Sequence, residues 1–434
     1  MRMISKVVIL GAGLTGLSAA YHLDTDYEIY EKESEVGGLC RSRCINGFIF
    51  DQAVHAIYSQ DEYATALIKK LLNGNLLSQA RSSWIYSRGV LTLYPFQANT
   101  FGLPIEVVKE CVLGFIEARY SGNERRRSAN FEDWIYNTFG SGIAEHFMIP
   151  FNRKLWATDL KEMSIRWIGG RIPQPDLEEV LEGALSNQRK GFGLNESFWY
   201  PRYGGIEALP KAFLPHVGNI NLNQEVSAIY PDERRIVMAD SCSRRYDKLI
   251  SSLPLPRLMD MIDPVPISVQ KASSQLRCNK VYSVNIGVNR ANISNAHWIY
   301  FPEQDFVFHR ISFPMNFSPF MAPEGASSIT AEISASASKE ISEHGLVQRV
   351  IDDLILARVL EKDDEILVTD LVSLDPAYVI YNHSHNKNVS LIHQFLCDKE
   401  IYPCGRFGMW EYYNMDHAIL SGRLAAEGVN REFV

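Results

Sequence analysis

Lys6-Val-Val-Ile-Leu-Gly-Ala-Gly-Leu-Thr-Gly-Leu-Ser-Ala-Ala-Tyr-His-Leu23 is the stretch that decides the fold. Its apolar residues Val7 to Leu10 read as a fully buried strand of a parallel sheet. Gly11, Gly13 and Gly16 follow in G-x-G-x-x-G spacing and open an Ala- and Leu-rich helix. Each glycine has a physical task. Gly11 allows a sharp turn, Gly13 lets the backbone approach a pyrophosphate, and Gly16 lets helix and strand pack closely. Free amides at the helix start, with Thr15 beside them, then face the phosphates. Ordinary turns also use glycines, so the spacing alone decides little. A second strand, Tyr27 to Tyr30, ends in Glu31, 20 residues after Gly11, where a carboxylate accepts from ribose hydroxyls. Strand, glycines, helix, strand and acid together read as a dinucleotide site.

The chain of 434 residues is long enough for two or three domains. Its 46% hydrophobic and 22% charged residues are ordinary for a globular protein. A net charge of −8 argues against a nucleic-acid partner but leaves room for a local basic pocket. No apolar run reaches membrane-spanning length, and the chain enters its first strand too soon for a signal peptide. Seven scattered cysteines, none in C-x-x-C spacing, predict neither a zinc site nor a disulfide framework, and a cytoplasmic setting. His383 and His385, without nearby acids, read as polar surface and not as metal ligands.

Beyond Glu31, Glu35-Val-Gly-Gly-Leu-Cys-Arg-Ser42 offers a second close backbone approach to a nucleotide, with Gly38, Leu39 and Arg41 at its centre. Phe48-Ile-Phe-Asp51 then leads through Gln52-Ala-Val to His55. The pair G-G-x-x-R-S and F-x-F-D-x-x-x-H resembles the FAD-dependent superfamily of amine oxidases, protoporphyrinogen oxidases and UDP-galactopyranose mutases. That resemblance makes the dinucleotide FAD and runs His55 past the isoalloxazine ring. Ala53 and Val54 stand where the family usually has glycines, and a β-carbon at each crowds the approach.

Further motifs single out the mutase branch. Tyr94-Pro-Phe-Gln-Ala-Asn99 resembles the uracil-holding Y-P-F-Q-N-N stretch of eukaryotic-type mutases, carried here by Tyr94, Phe96 and Gln97. P-x-N-x-K-x-W-A at Pro150 to Ala157 and W-x-G-x-R at Trp167 to Arg171 are also similar, and Arg171 matches a substrate-binding arginine. Read without the family, Trp156 and Trp167 are core anchors and Arg171 is solvated. Asn195, just before the superfamily's Y-P-R-x-G-G-I, matches a substrate contact, and Val226 matches a backbone contact to adenine. Tyr246-Asp-Lys-Leu-Ile-Ser-Ser-Leu-Pro254 resembles the strand that closes the FAD domain. Residues 279 to 335 alternate with period two, as half-buried strands do. Inside them W-x-Y-F-P-E and F-x-R-x-x-x-x-x-N-x-S-P resemble mutase segments that grip the diphosphate, through Tyr300 and Arg310. Tyr378 matches a further tyrosine more loosely. At the end, G-R-x-x-x-x-x-Y-Y-x-M resembles the flavin motif, with Gly405 and Arg406 at the pyrophosphate, Asn414 and Met415 at the ring and Tyr412 at substrate phosphate.

The resemblance implies an α/β chain: a Rossmann-type FAD-binding domain with an inserted helical domain and an antiparallel β-sheet substrate domain. The expected boundaries are 1–92, 193–275 and 397–434 for the FAD-binding parts, 93–192 for a helical lid, and 276–396 for the sheet. Within the lid, helices are expected over 104–120, 131–139, 142–149 and 177–185. The implied activity is a pyranose–furanose mutase on a nucleoside-diphosphate sugar, with reduced FAD as nucleophile and NAD(P)H as a transient reductant. His55, Arg171 and Arg310 are its expected catalytic residues. The sugar, the base and homo-oligomer formation stay open. Two other readings remain: an amine or porphyrinogen oxidase, and a flavin-free protein of the same fold, for which Ala53 and Val54 speak. The purified protein is expected to carry FAD, which its visible absorption spectrum reports. A preparation that stays colourless after adding FAD would favour the flavin-free reading.

Overall fold

A computed structural model describes residues 7–120, 127–188 and 196–432. Val7–Leu10, buried along its whole length, is the middle of a five-stranded sheet. The order is Ile401–Pro403, Lys248–Ser251, Val7–Leu10, Tyr27–Tyr30, Ile220–Asn221, and every pairing is parallel. Connections leave Val7–Leu10 and its neighbour Lys248–Ser251 in opposite directions, which opens a crevice at their carboxyl ends. Helix Leu14–His22 lies so close to the first strand that a β-carbon on Gly16 would stand 2.0 Å from the Gly11 oxygen. Helix Met415–Glu432 lies equally close on the other side, where a β-carbon on Gly422 would be 2.3 Å from the Thr15 oxygen.

The second sheet has seven strands in the order Ile366–Leu374, Lys280–Val288, Ser327–Ala335, Arg310–Ser312, Trp298–Tyr300, Ser83–Ser87, Val90–Leu93. All pairings are antiparallel except that between Trp298–Tyr300 and Ser83–Ser87. Register sorts its two faces. Val284, Ile286, Ile299, Ile311, Ile329 and Ile333 join one core, shared with helix Leu346–Leu356. The opposite face aligns Ser283 with Glu332, Glu332 with Arg310, and Arg310 with Tyr300. The period-two chemistry is therefore as expected, but half-burial is not. Val281–Val288 and Ser327–Ala335 are buried throughout. The strand Phe48–Asp51 covers part of the polar face: the Phe48 ring lies where a β-carbon on Gly287 would reach 2.8 Å from it.

Two expectations change here. The hairpin Ser83–Leu93, expected within the 1–92 part, forms the edge of the seven-stranded sheet, because Trp84 and Ile85 pair with Ile299 and Tyr300. In the helical insertion, Ile105–Tyr120, Ile149–Trp156 and Leu177–Leu185 are regular, but the expected helix 142–149 is not. Phe131–Ile143 kinks at Gly140 (φ +76) and runs into a π-helical turn, Ala144–Met148. The cause is close helix crossing, since a β-carbon on Gly142 would stand 2.2 Å from the Glu110 oxygen.

Burial also sets titrations. Desolvation holds His55 and His297 down to about 4, from an ordinary 6.5, and His309 well below that value. Asp51 is pushed by burial up to about 6, although Ser42 Oγ, Tyr200 Oη and the Ile206 amide all donate to it. Well above pH 6.5 the three histidines are neutral in both states and their stability share is complete. As pH falls the unfolded chain takes up three protons first, while folded Asp51 takes up one before its unfolded form does. The net is about two protons, so stability is expected to fall by roughly 3 kcal/mol per pH unit between pH 6 and 4.5. Thermal melts across that range check this; a flat profile contradicts it.

Candidate active site

At the carboxyl end of Val7–Leu10 the chain turns at Gly11 (φ +93), where a β-carbon would meet Ser252 Oγ at 2.6 Å. Helix Leu14–His22 begins at Gly13 with no side-chain cap, so its first amides open onto this turn. Gly38 faces Gly13 so closely that a β-carbon on it would be 3.3 Å from the Gly13 Cα. Gly405 (φ +77) closes the third side against Thr15. Glu31 accepts the amides of Ala12 at 2.7 Å and Glu33 at 3.0 Å, which fixes its carboxylate while leaving lone pairs free. The Gln224 amide donates to the Glu31 oxygen at 2.8 Å and brings Val226 alongside. Arg41 Nε donates to the Gly38 oxygen at 3.2 Å. Amides, glycines and a fixed acid are the donor set that a dinucleotide's pyrophosphate and ribose need. Ala53 packs with Leu39 against Val281, Val372 and Leu374, so its side chain is occupied by the second sheet.

Where the two sheets meet, phenols and guanidiniums alternate. Tyr378 stacks on Tyr412 with centroids 5.8 Å apart. The Arg406 guanidinium lies 4.7 Å over the Tyr412 ring, and that of Arg171 lies 5.4 Å from it. Arg406 donates to the Tyr413 and Ala377 oxygens, but its Nε is buried without a partner. Arg171 is exposed, as the residue-by-residue reading expects, and it also donates to the Trp167 oxygen at 2.6 Å and the Tyr412 oxygen at 3.1 Å. On the other flank Tyr94 and Tyr300 lie 5.3 Å apart. His55 bonds the Ala53 oxygen through Nδ1 at 2.7 Å, and the charges of Arg406 and Arg310 add to the burial that keeps it neutral.

Several sites differ from expectation. Arg310 is neither on a water face nor free to fork a phosphate: Nε and Nη2 both donate to Glu332, its partner in register, the second at 2.8 Å. Burial lowers its pKa, and Glu332 outweighs that, so the group stays charged. Phe96 is fully buried, stacked on Phe147 at 5.0 Å, and Gln97 donates to the Pro173 oxygen at 2.9 Å. Both serve the helical insertion beneath Tyr94. Met415 is buried at the start of its helix, Asn414 is exposed, and Asn195 lies outside the described residues. Trp156 and Trp167 are core anchors, 4.8 Å apart. His385 is not surface: it is 2% exposed, and its Nε2 lies 2.9 Å from the Trp410 oxygen.

The structure adds two residues to the set. Arg81 donates to the Tyr300 hydroxyl at 3.0 Å and lies 4.6 Å over the Tyr94 ring. Burial lowers its pKa, but the Tyr300 and Tyr94 hydroxyls raise it further. No motif marks Arg81 in the sequence. Glu332 did have a signal, as the lone charge on the polar side of the alternating run Ser327–Ala335.

The chain is 22% identical to coproporphyrinogen III oxidase from Staphylococcus aureus over 99% of its own length and 100% of that relative's. The crystal structure of a reduced UDP-galactopyranose mutase superposes with a TM-score of 0.94 at 28% identity, covering 98% of this chain and 94% of that one. Cyclohexylamine oxidase from Brevibacterium oxydans shares the fold, with a TM-score of 0.71 at 14% identity over 99% of this chain and 100% of that one. Residues 14–430, from the first turn of the glycine-capped helix to the last helix, match the flavin containing amine oxidoreductase family, to which this chain belongs.

Proposed function

We propose that the chain is a flavin-dependent mutase that interconverts the pyranose and furanose forms of a nucleoside-diphosphate sugar. The observation that carries this reading is the cleft of Tyr94, Tyr300, Tyr378 and Tyr412 interleaved with Arg81, Arg171, Arg310 and Arg406, beside the glycine cradle. Such a lining suits a polyanion with hydroxyls, which takes charge-assisted bonds from the arginines and neutral ones from the phenols. FAD fits the donors present. Gly11, Gly13, Gly38 and Gly405 with the helix amides would hold its pyrophosphate, Glu31 its ribose, and the unpartnered Nε of Arg406 a further anionic or carbonyl oxygen. Bound reduced flavin supplies a nucleophile for the anomeric carbon, so the protein's own work is positioning. Arg171 and Arg406 bracket Tyr412 at the diphosphate end. Arg310, held rigid and charge-balanced by Glu332, would meet substrate through its remaining Nη1 edge. His55, neutral at physiological pH with its Nδ1 proton given to the Ala53 oxygen, presents a bare Nε2 that can only accept.

A second reading, a flavin oxidase, is favoured by the full-length similarity to the S. aureus coproporphyrinogen III oxidase. The two readings part over reductant. Sugar-nucleotide conversion is expected only after dithionite or a reduced nicotinamide is added under argon. Oxygen uptake with coproporphyrinogen or an amine, and no sugar conversion, would select the oxidase.

The Arg310–Glu332 pair gives a sharper expectation. Arg310→Ala leaves Glu332 buried and unpaired, which costs about 3–5 kcal/mol and shows directly in urea melts. Arg310→Lys keeps the charge but not the two-point grip. It is expected to keep the flavin spectrum and to bind UDP, GDP or dTDP about tenfold more weakly. Equal affinities in wild type and Arg310→Lys would remove Arg310 from the substrate site.

A further inference from the structure

The loop from Gly405 to Met415 carries Arg406 and Tyr412 into the cleft, and groups with no part in the proposed chemistry hold its shape. Trp410 has a left-handed backbone (φ +56), a conformation that a bulky residue keeps only when its surroundings impose it. His385 Nε2 faces the Trp410 oxygen, which can only accept, so that nitrogen carries the proton. The Arg406 oxygen accepts the Glu411 amide at 2.8 Å, and Arg406 Nη1 donates to the Tyr413 oxygen at 2.8 Å. A single phenol supplies two ties. Tyr381 Oη donates to Glu411 Oε2 at 2.7 Å and accepts the Tyr412 amide at 2.5 Å. Its ring is 3% exposed and packed against His385 at 4.5 Å and Trp167 at 6.4 Å, so the hydroxyl cannot swing away. Tyr412 is thus gripped at its amide by Tyr381 and at its oxygen by Arg171, while its ring faces Tyr378 and Arg406.

We propose that Tyr381 is a positioning residue: its hydroxyl, bridging the Glu411 carboxylate and the Tyr412 amide, sets where the Tyr412 ring stands in the cleft, without touching substrate. This rests on reading the cleft as a diphosphate site. Removing the hydroxyl strips the Glu411 carboxylate and the Tyr412 amide of a shared partner at once, and both must move to find another. The left-handed turn at Trp410 then relaxes and carries the Tyr412 ring with it. Displacements of about an ångström in a binding constellation cost on the order of tenfold to a hundredfold.

Tyr381→Phe keeps the ring packing and deletes only the hydroxyl. With the FAD-loaded protein, its flavin spectrum is expected to match wild type and its melting temperature to fall only slightly. Its crystal structure is expected to show the Tyr412 ring displaced from Tyr378, and its Kd for UDP to rise about tenfold. Because Tyr381 acts through Tyr412, adding Tyr381→Phe to Tyr412→Phe is expected to cause no further loss. Glu411→Gln keeps an acceptor for the phenol and is expected to bind UDP like wild type, whereas Glu411→Ala loses affinity as Tyr381→Phe does. If Tyr381→Phe fails to fold, the contrast between the two Glu411 variants decides. A Tyr412 ring unmoved in Tyr381→Phe, additive losses in the double variant, or equal behaviour of both Glu411 variants overturns the proposal. If the ring moves but wild type itself does not bind UDP, the positioning role stands and the diphosphate reading falls.

Discussion

Everything in this molecule is built around a backbone contact that tolerates no side chain. At the first turn, Gly16 meets the Gly11 oxygen, Gly422 meets the Thr15 oxygen, and Gly405 backs onto the Thr15 side chain. Residues from both ends of the chain therefore converge on one point. The closeness is what leaves helix amides, and not side chains, facing the crevice at the carboxyl ends of the parallel strands. It also brings Arg406, one residue past Gly405, to the same place, which joins the nucleotide cradle to the cleft of phenols.

The second constraint is the register of the seven-stranded sheet. Because side chains alternate along a strand, one slip would move the polar set to the opposite face. The observed register puts Tyr300, Arg310 and Glu332 abreast, on the face that the strand Phe48–Asp51 covers in part. A guanidinium keeps its charge even in that setting, so burying it is costly unless it is paired, and Glu332 pairs it. The cost is that Arg310 has one edge left for anything else. Arg81 differs in giving its Nε and Nη2 to neutral hydroxyls, those of Ser83 and Tyr300, and not to a carboxylate.

The family relationship covers nearly the whole chain, while the proposed substrate reading rests on a few side chains. Oxidases and a mutase share this fold, so the sheets and cradle do not discriminate between them. The proposed mutase reading leans on the arginine and tyrosine lining, since amines have no use for clustered cations. A porphyrinogen bearing carboxylates is the harder competitor, because it too is a polyanion.

The strand before Gly11, the glycine spacing and Glu31 were legible without coordinates, because each follows from local backbone geometry. Motifs also singled out Tyr94, Tyr300, Arg310, Arg171 and Arg406, and the fold brings these side chains near one another. What each does was not legible. Whether Arg310 is free or paired depends on Glu332, 22 positions away and adjacent only through strand register. The place of Arg81 depends on a hairpin that crosses into the second sheet, and no local pattern announces such a crossing. Phe96 looked like a base-stacking ring because its motif says so, but the kinked helix behind it turns it inward against Phe147. Burial of the alternating strands on both faces was hidden for a similar reason. Alternation reports which face is polar, and only tertiary packing decides whether that face meets water or another domain. Local sequence settled the turns, the helix start and the residue types; tertiary structure decided the partners, because partners come from distant segments.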